Sequence, residues 1–150
     1  MNTDSAWKRP ESVLVVVHTV AGEFLLMERA QPVGFWQSVT GSLRWDEQPA
    51  AAARRELFEE TGIDVEPVDC QMQTVFPILP AWRARYQPEV QENREHVFAL
   101  QLAQVCDVVL SAEHLRFAWL DAQTAAQRCG SWTNAEAITL LVRHGGRVGS

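Results

Sequence analysis

The sequence predicts an α/β or α+β fold built on one sheet. An early apolar run, Ser12–Val20, is β-branched on most residues and has the composition of a strand that is buried on both faces. A run of strong helix formers occupies residues 49–61, and more strand-like segments follow it. Two helical segments close the chain. Periodicity by itself does not separate the two fold classes.

Length and composition fit one globular domain over residues 1–150, with a disordered tail at about 145–150. The chain is 47% hydrophobic and 21% charged, which excludes a disordered protein and a coiled coil. Its net charge of −6 argues against broad binding to nucleic acid or to anionic membranes. We therefore expect no nucleic-acid partner and no membrane partner. The sequence leaves a monomer and a homodimer open.

Cysteine usage and the N-terminal segment predict a cytoplasmic protein. Cys70, Cys106 and Cys129 are odd in number and lack CxxC spacing, which indicates reduced thiols instead of disulfides or a zinc site. The first residues contain no apolar segment of signal-peptide length, and no run approaches the length of a membrane span.

The first two strands bring basic residues to their ends. A turn at residues 21–23 separates Ser12–Val20 from Glu23–Arg29, so the two strands are expected to form a hairpin. Lys8 precedes the first strand and Arg29 ends the second, where functional sites are often built. Without other information, a solvated surface charge is the simpler interpretation of each residue.

The segment Gln31–Thr40 is expected to be a loop, marked by Pro32 and Gly34. Phe35 and Trp36 follow as core aromatics. Stacking of Trp36 on a ligand ring is the alternative to core packing.

A helix with a row of carboxylates comes next. Pro49 suits the first helical turn, and Gly62 suits a C-cap. At about 100° per residue, Glu56, Glu59 and Glu60 share one face, while Ala50, Ala53 and Leu57 are expected to pack on a neighbouring face. Carboxylates that repel one another are best neutralised by a hard divalent cation with oxygen ligands.

The segment from Gly41 to Ile63 resembles the Nudix box, G-x5-E-x7-R-E-U-x-E-E-x-G-U with U aliphatic. Every specified position is met in GSLRWDEQPAAAARRELFEETGI. A solvated acidic helix face with an Arg55–Glu59 pair is the simpler alternative, but it explains neither the loop spacing nor the flanking glycines. The resemblance implies an α/β/α sandwich around a mixed sheet. It also implies hydrolysis of a nucleoside diphosphate linked to another moiety, with Mg²⁺ or Mn²⁺.

The second half of the chain predicts further strands and two helices. Residues 77–88, between two of the expected strands, are expected to form a proline-rich loop. Its side chains Trp82, Arg83, Arg85 and Tyr86 are suited to binding a flat ring that carries phosphates; the alternative is a surface loop held in place by the tryptophan. Glu113 and His114 stand in a loop before a strand, and Asp121 is a good N-cap. The expected strands are Val68–Phe76, His96–Leu102, Phe117–Leu120 and, as an option, Val105–Leu110; the expected helices are Ala122–Arg128 and Asn134–His144.

Short motifs outside the box resemble one branch of this family, the bacterial pyrophosphatases that hydrolyse dihydroneopterin triphosphate in folate synthesis. They include Lys8-Arg9-Pro10, FWQSVTGS at 35–42, Arg85-Tyr86, Asn93 with Glu95, Glu113-His114-Leu115, and Ser131-Trp132 with Asn134. This resemblance implies release of pyrophosphate from the pteridine triphosphate. It places substrate contacts at Lys8, Arg29, Thr40, Phe76, Pro77, Ile78, Leu79 and Ser131, to which the arginine-aromatic loop adds Arg85.

The same resemblance places metal ligands at Glu56, Glu60 and Glu113. Glu113 could complete a second metal site or act as general base, with Glu59 as the other candidate base and Arg55 orienting it. A housekeeping pyrophosphatase acting on dNTPs such as dATP is the alternative enzyme. A Nudix domain that senses a ligand without turnover is the alternative from another class, which the complete carboxylate set disfavours.

Overall fold

The computed structural model describes residues 6–144 and contains seven strands and three α-helices there. The tail expected to be disordered lies outside the described residues. Between β5 and β6 the chain forms a 3₁₀ helix, Pro80–Arg85. The strands are β1 (Glu11–Thr19), β2 (Glu23–Arg29), β3 (Trp36–Gln37), β4 (Val39–Ser42), β5 (Val68–Pro77), β6 (Glu92–Leu102) and β7 (His114–Asp121), and the helices are α1 (Pro49–Thr61), α2 (Ala122–Arg128) and α3 (Trp132–Arg143).

Strand β1 is the centre of a mixed sheet. It runs parallel to β6 along its whole length, and β5 adds antiparallel to the far side of β6. On its other side β1 pairs with β2 only at His18 and Phe24, beside the turn, and then with β4. The expected hairpin is therefore short, because most of β2 pairs with β7 and β3 instead.

The two faces of β1 pack against different helices. Val13, Val15 and Val17 share one core with α1, whereas Leu14 and Val16 share a second core with α2 and α3. A strand covered on both sides needs apolar residues at every position, which explains the uninterrupted run in the sequence. The α/β/α sandwich expected from the family resemblance is confirmed.

The carboxylate helix has the expected bounds and caps. Pro49 stands in its first turn, and Gly62 ends it with φ +80°, donating its backbone N–H to the Phe58 carbonyl at 2.8 Å. Ala53 and Leu57 are buried as expected, but Ala50 is exposed and Ala52 takes its place in the core. Ala50 lies on the same side of the helix as Leu57, so its exposure reflects its place in the first turn and not a shift of the apolar face.

The optional strand at Val105–Leu110 is wrong. This segment is irregular, and the Val109 N–H donates to the Thr61 carbonyl at 2.9 Å. Val108 enters the core beside α1 while Val109 is exposed. The segment satisfies a free carbonyl at the end of α1 instead of extending the sheet. None of the helices within residues 6–144 is both long and apolar enough to cross a bilayer.

Candidate active site

The three carboxylates of α1 have different environments. Glu60 is only 2% exposed, Glu56 is half-buried, and Glu59 is exposed. The Thr40 N–H donates to Glu60 Oε1 at 3.4 Å, whereas Glu60 Oε2 has no hydrogen-bond partner in the described part of the chain. Helical periodicity groups these residues on one face, but packing of α1 against β4 turns Glu60 toward the sheet.

Gly41 lets the Glu56 carboxylate approach the backbone of β4. A Cβ atom at Gly41 would lie 2.2 Å from Glu56 Cδ and 2.4 Å from Glu56 Oε2. Only a residue without a side chain leaves room for this contact. The glycine at the start of the box thus positions a carboxylate fifteen residues later in the chain.

Arg55 joins the box loop to the helix. Its guanidinium donates to both oxygens of Glu47 at 2.8 and 2.7 Å, to Glu56 Oε1 at 2.6 Å and to the Ser42 carbonyl at 3.2 Å. The expected contact with Glu59 is the longest of the set, at 3.4 Å. Its hydrogen bonds to Glu47 raise the pKa of Arg55 and hold the pKa of Glu47 below its usual range. Glu47 is thus the main partner of Arg55.

Glu60 lies where further negative charge is unfavourable. Burial raises its pKa well above the ordinary value, and the neighbouring Glu56 carboxyl group and the charge of Glu113 raise it further. His114 is buried beside it, with Nε2 4.0 Å from Glu60 Oε1 and 3.2 Å from Gln37 Nε2. Because burial lowers the pKa of His114, its neutral form is favoured.

The residues present fit a divalent cation. A buried carboxylate with an unpaired oxygen, next to a second carboxylate, is the hard oxygen donor set that such ions prefer. Within residues 6–144, however, no group of three His, Cys, Asp or Glu side chains is spaced to enclose an ion. Arg55 bonds to Glu56, and the Glu113 side chain is exposed on its loop.

Cationic groups face these carboxylates from three elements. Burial lowers the pKa of Lys8, the charges of Arg85 and Arg29 lower it further, and those of Glu56 and Glu113 raise it. The Lys8 ammonium therefore feels the charges of two arginines and of two candidate metal ligands. Its N–H donates to the Arg85 carbonyl at 2.9 Å, and the Ala30 N–H donates to the Glu113 carbonyl at 2.8 Å, which brings the Glu113 loop beside the end of β2.

The residues before and after Lys8 both bond to the loop at residues 44–47. Trp45 Nε1 donates to the Trp7 carbonyl at 2.8 Å, and Arg9 Nη1 donates to the carbonyls of Arg44 at 2.7 Å and Glu47 at 3.0 Å. The basic residue before the first strand is thus held against the box loop.

The other candidate substrate residues make contacts within their own segments or with neighbouring strands. The Thr40 hydroxyl donates to the Val13 carbonyl at 2.9 Å, and Ser131 Oγ is 2.8 Å from Thr133 Oγ1. In the segment 76–79, Phe76 and Pro77 end β5 opposite β6, Ile78 is buried and Leu79 is exposed.

Aromatic side chains near the 3₁₀ helix pack on the protein itself. Trp82 lies 6.0 Å from Phe35 in an edge-on arrangement and 5.6 Å from the Arg29 guanidinium. Trp36 is half-buried against the second core, and the guanidinium groups of Arg116 and Arg128 lie 5.8 and 5.5 Å from its ring centroid.

Two residues of the site, Glu47 and His114, have roles that the sequence analysis does not predict. Glu47 is a specified position of the box pattern, and its spacing from Arg55 is the signal that could have identified it as the partner of that arginine. His114 is the first residue of β7 and not part of the loop before it, and nothing in the sequence indicates that pairing of β7 with β2 buries it beside Glu60.

The NUDIX domain profile matches residues 8–141 of this chain. The chain belongs to the Nudix family. The box helix, the mixed sheet and the buried carboxylate described above are thus those of a Nudix domain, and Nudix hydrolases generally use divalent metal ions.

Individual relatives of this Nudix chain are similar over almost its whole length. It is 41% identical over 145 residues to the dihydroneopterin triphosphate diphosphatase of Escherichia coli K12, covering 93% of this chain and 96% of that protein. The enzyme of the same name from Haemophilus influenzae is 38% identical, over 88% of this chain and 87% of that protein. The solved structure of the E. coli dihydroneopterin triphosphate pyrophosphohydrolase superposes with a TM-score of 0.87 at 40% identity, covering 93% of this chain and 99% of that one.

Proposed function

We propose that this Nudix protein hydrolyses dihydroneopterin triphosphate to dihydroneopterin monophosphate and pyrophosphate, a step in folate synthesis. The observation that carries the proposal is the 41% identity to an enzyme with that name over 93% of this chain. The complete carboxylate set of the box supports turnover over a ligand-sensing role, because a sensor has no need for a buried, unpaired carboxylate.

Glu56 and Glu60 are the proposed ligands of Mg²⁺, with Mn²⁺ as a substitute, and Glu113 is the proposed ligand from a second element. When bound, the ion neutralises phosphate oxygens and makes water a better nucleophile. Glu60 supplies the unpaired oxygen Oε2, and Gly41 leaves the space that Glu56 needs. Arg55 holds the Glu56 carboxylate in place and is itself fixed by Glu47.

The remaining charged residues have two proposed roles: the carboxylates transfer a proton, and the cationic residues bind phosphate. Glu113 and Glu59 are both exposed, so either can exchange a proton with solvent while acting as general base. Lys8, Arg29 and Arg85 form the positive end of the site and suit the outer phosphates of the substrate. The mutual repulsion of these three cations is relieved when a polyanion binds between them.

Competition between dihydroneopterin triphosphate and dATP in one reaction with Mg²⁺ tests the proposal. Dihydroneopterin triphosphate is expected to be consumed first, with pyrophosphate as product and not three orthophosphates. Preferential consumption of dATP would refute the assignment and leave a general dNTP pyrophosphatase. A folded protein that hydrolyses neither compound would refute both.

A further inference from the structure

A cluster of buried polar side chains lies on the face of the sheet that is opposite α1. It consists of Ser12 on β1, Asn93 and Glu95 on β6, and Thr133 in the first turn of α3. Glu95 is 5% exposed and Asn93 is 3% exposed. These residues stand beyond the end of the second core, where β1 and β6 pair in parallel and Ser12 is in register with Glu95.

Two acceptor atoms in this cluster have no partner among residues 6–144. Asn93 Nδ2 donates to Ser12 Oγ at 2.8 Å, which leaves Asn93 Oδ1 without a donor. Glu95 receives a hydrogen bond from the Thr133 side chain, and its Oε1 is unpaired. Burying an unpaired acceptor costs roughly 1–3 kcal/mol, so two in one place need an explanation. A ligand with neighbouring N–H donors would satisfy both.

The cluster is connected to the candidate active site through β4 and α3. Ser12 is paired with Ser42, whose carbonyl accepts from Arg55 at 3.2 Å. On the other side, the Thr133 hydroxyl contacts Ser131 Oγ at 2.8 Å. The cluster therefore borders the β4 backbone that Arg55 contacts, and Thr133 adjoins Ser131, a proposed substrate contact.

We propose that Glu95 and Asn93 form the subsite that binds the amino-oxo edge of the pterin ring. This inference rests on the proposed function and names the residues that would select its substrate. The pterin edge presents a ring N–H beside an exocyclic amine, two donors that match the two unpaired acceptors. Adenine presents one amine beside a ring nitrogen that is an acceptor. An adenine in this subsite would therefore place an acceptor against an acceptor.

The ionised form of Glu95 is the one that accepts from two donors. Burial raises the pKa of Glu95 to about 7, and the hydrogen bond from Thr133 opposes that rise. At pH 8 the carboxylate is therefore mostly ionised, and binding assays for this subsite belong at that pH.

Glu95→Gln tests the subsite because glutamine presents one acceptor and one donor. That pattern matches the adenine edge and mismatches the pterin edge. At pH 8 we expect kcat/KM for dihydroneopterin triphosphate to fall at least about tenfold, while kcat/KM for dATP is unchanged or rises. Glu136→Gln, at an exposed position of α3, is the matched control and should change neither value.

An equal loss on both substrates, or a lower melting temperature with an unchanged substrate ratio, would assign Glu95 to the core and overturn the proposal. The wild-type reaction with dihydroneopterin triphosphate separately tests the proposed function. A second measurement needs no variant: inhibition of wild-type hydrolysis by pterin and by lumazine, which carries an oxygen in place of the amine. Pterin should inhibit at a concentration at least about tenfold lower. Equal inhibition, or none by either compound, would overturn the proposal.

Discussion

Replacing Glu60 with glutamine separates the cost of burying this carboxylate from its use as a metal ligand. The substitution keeps size and helix propensity and removes the negative charge. Glu60 is 2% exposed, its Oε2 is unpaired, and burial raises its pKa well above the ordinary value. Ionised Glu60 therefore destabilises the metal-free fold. Glu60→Gln should unfold at the same temperature as wild type or higher when no divalent ion is present.

The effect on metal binding has the opposite sign. An ion present at about 100 times its Kd stabilises the wild-type protein by about 2.7 kcal/mol. For a chain of this size, that stabilisation corresponds to a rise in Tm of about 5–11 °C. Without the charge of Glu60 most of this rise should be lost. Turnover should fall by about 10²–10⁴-fold, or about 3–5 kcal/mol in the activation barrier.

Thermal unfolding with EDTA and with excess Mg²⁺, combined with pyrophosphate release, measures both effects. Glu66→Gln is the control, since Glu66 is exposed and pairs with Arg54 at 3.6 Å in a surface ion pair. A folded Glu60→Gln protein that retained wild-type turnover would refute the metal site. A variant with full Mg²⁺ stabilisation would place the ion elsewhere.

The remaining predictions concern Glu113, Gly41 and Glu95. If Glu113 binds metal or acts as base, Glu113→Gln should lower kcat much more than it raises KM in steady-state kinetics. A change in KM alone would make Glu113 a substrate contact. Gly41→Ala should displace the flexible Glu56 carboxylate, because the new Cβ would lie 2.2 Å from Glu56 Cδ. We expect kcat to fall at least about tenfold, while the free energy of unfolding in urea changes by less than about 1 kcal/mol. An unchanged kcat would contradict this prediction. Because the pKa of Glu95 rises to about 7 in the fold, its contribution to stability is fully present below about pH 4.5 and is lost as pH rises toward 7. In urea unfolding, the free energy of unfolding of the wild type relative to that of Glu95→Gln should therefore fall by up to about 3 kcal/mol between pH 5 and pH 8. A difference that does not depend on pH would contradict the raised pKa of Glu95.

Local features of the sequence determined the elements and the family. The β-branched run of β1 required burial on both faces, and Pro49 and Gly62 set the bounds of α1 through backbone geometry. Asp121 caps α2 as expected, accepting from the Thr124 N–H at 2.9 Å. These features depend on neighbouring residues in the chain, so the sequence contains the information needed to predict them.

Tertiary packing decided which polar groups are buried and what they contact. Helical periodicity makes Glu56, Glu59 and Glu60 equivalent, and only the seating of α1 against β4 buries Glu60 and leaves Glu59 exposed. The pairing of β1 with β6 likewise brings Ser12 beside Asn93 across 81 residues. Burial and partner choice depend on contacts between distant segments, which determine the dielectric environment and the available hydrogen bonds. The sequence therefore contains the carboxylates proposed for the site, while their burial and the buried acceptors on the opposite face of the sheet followed only from the fold.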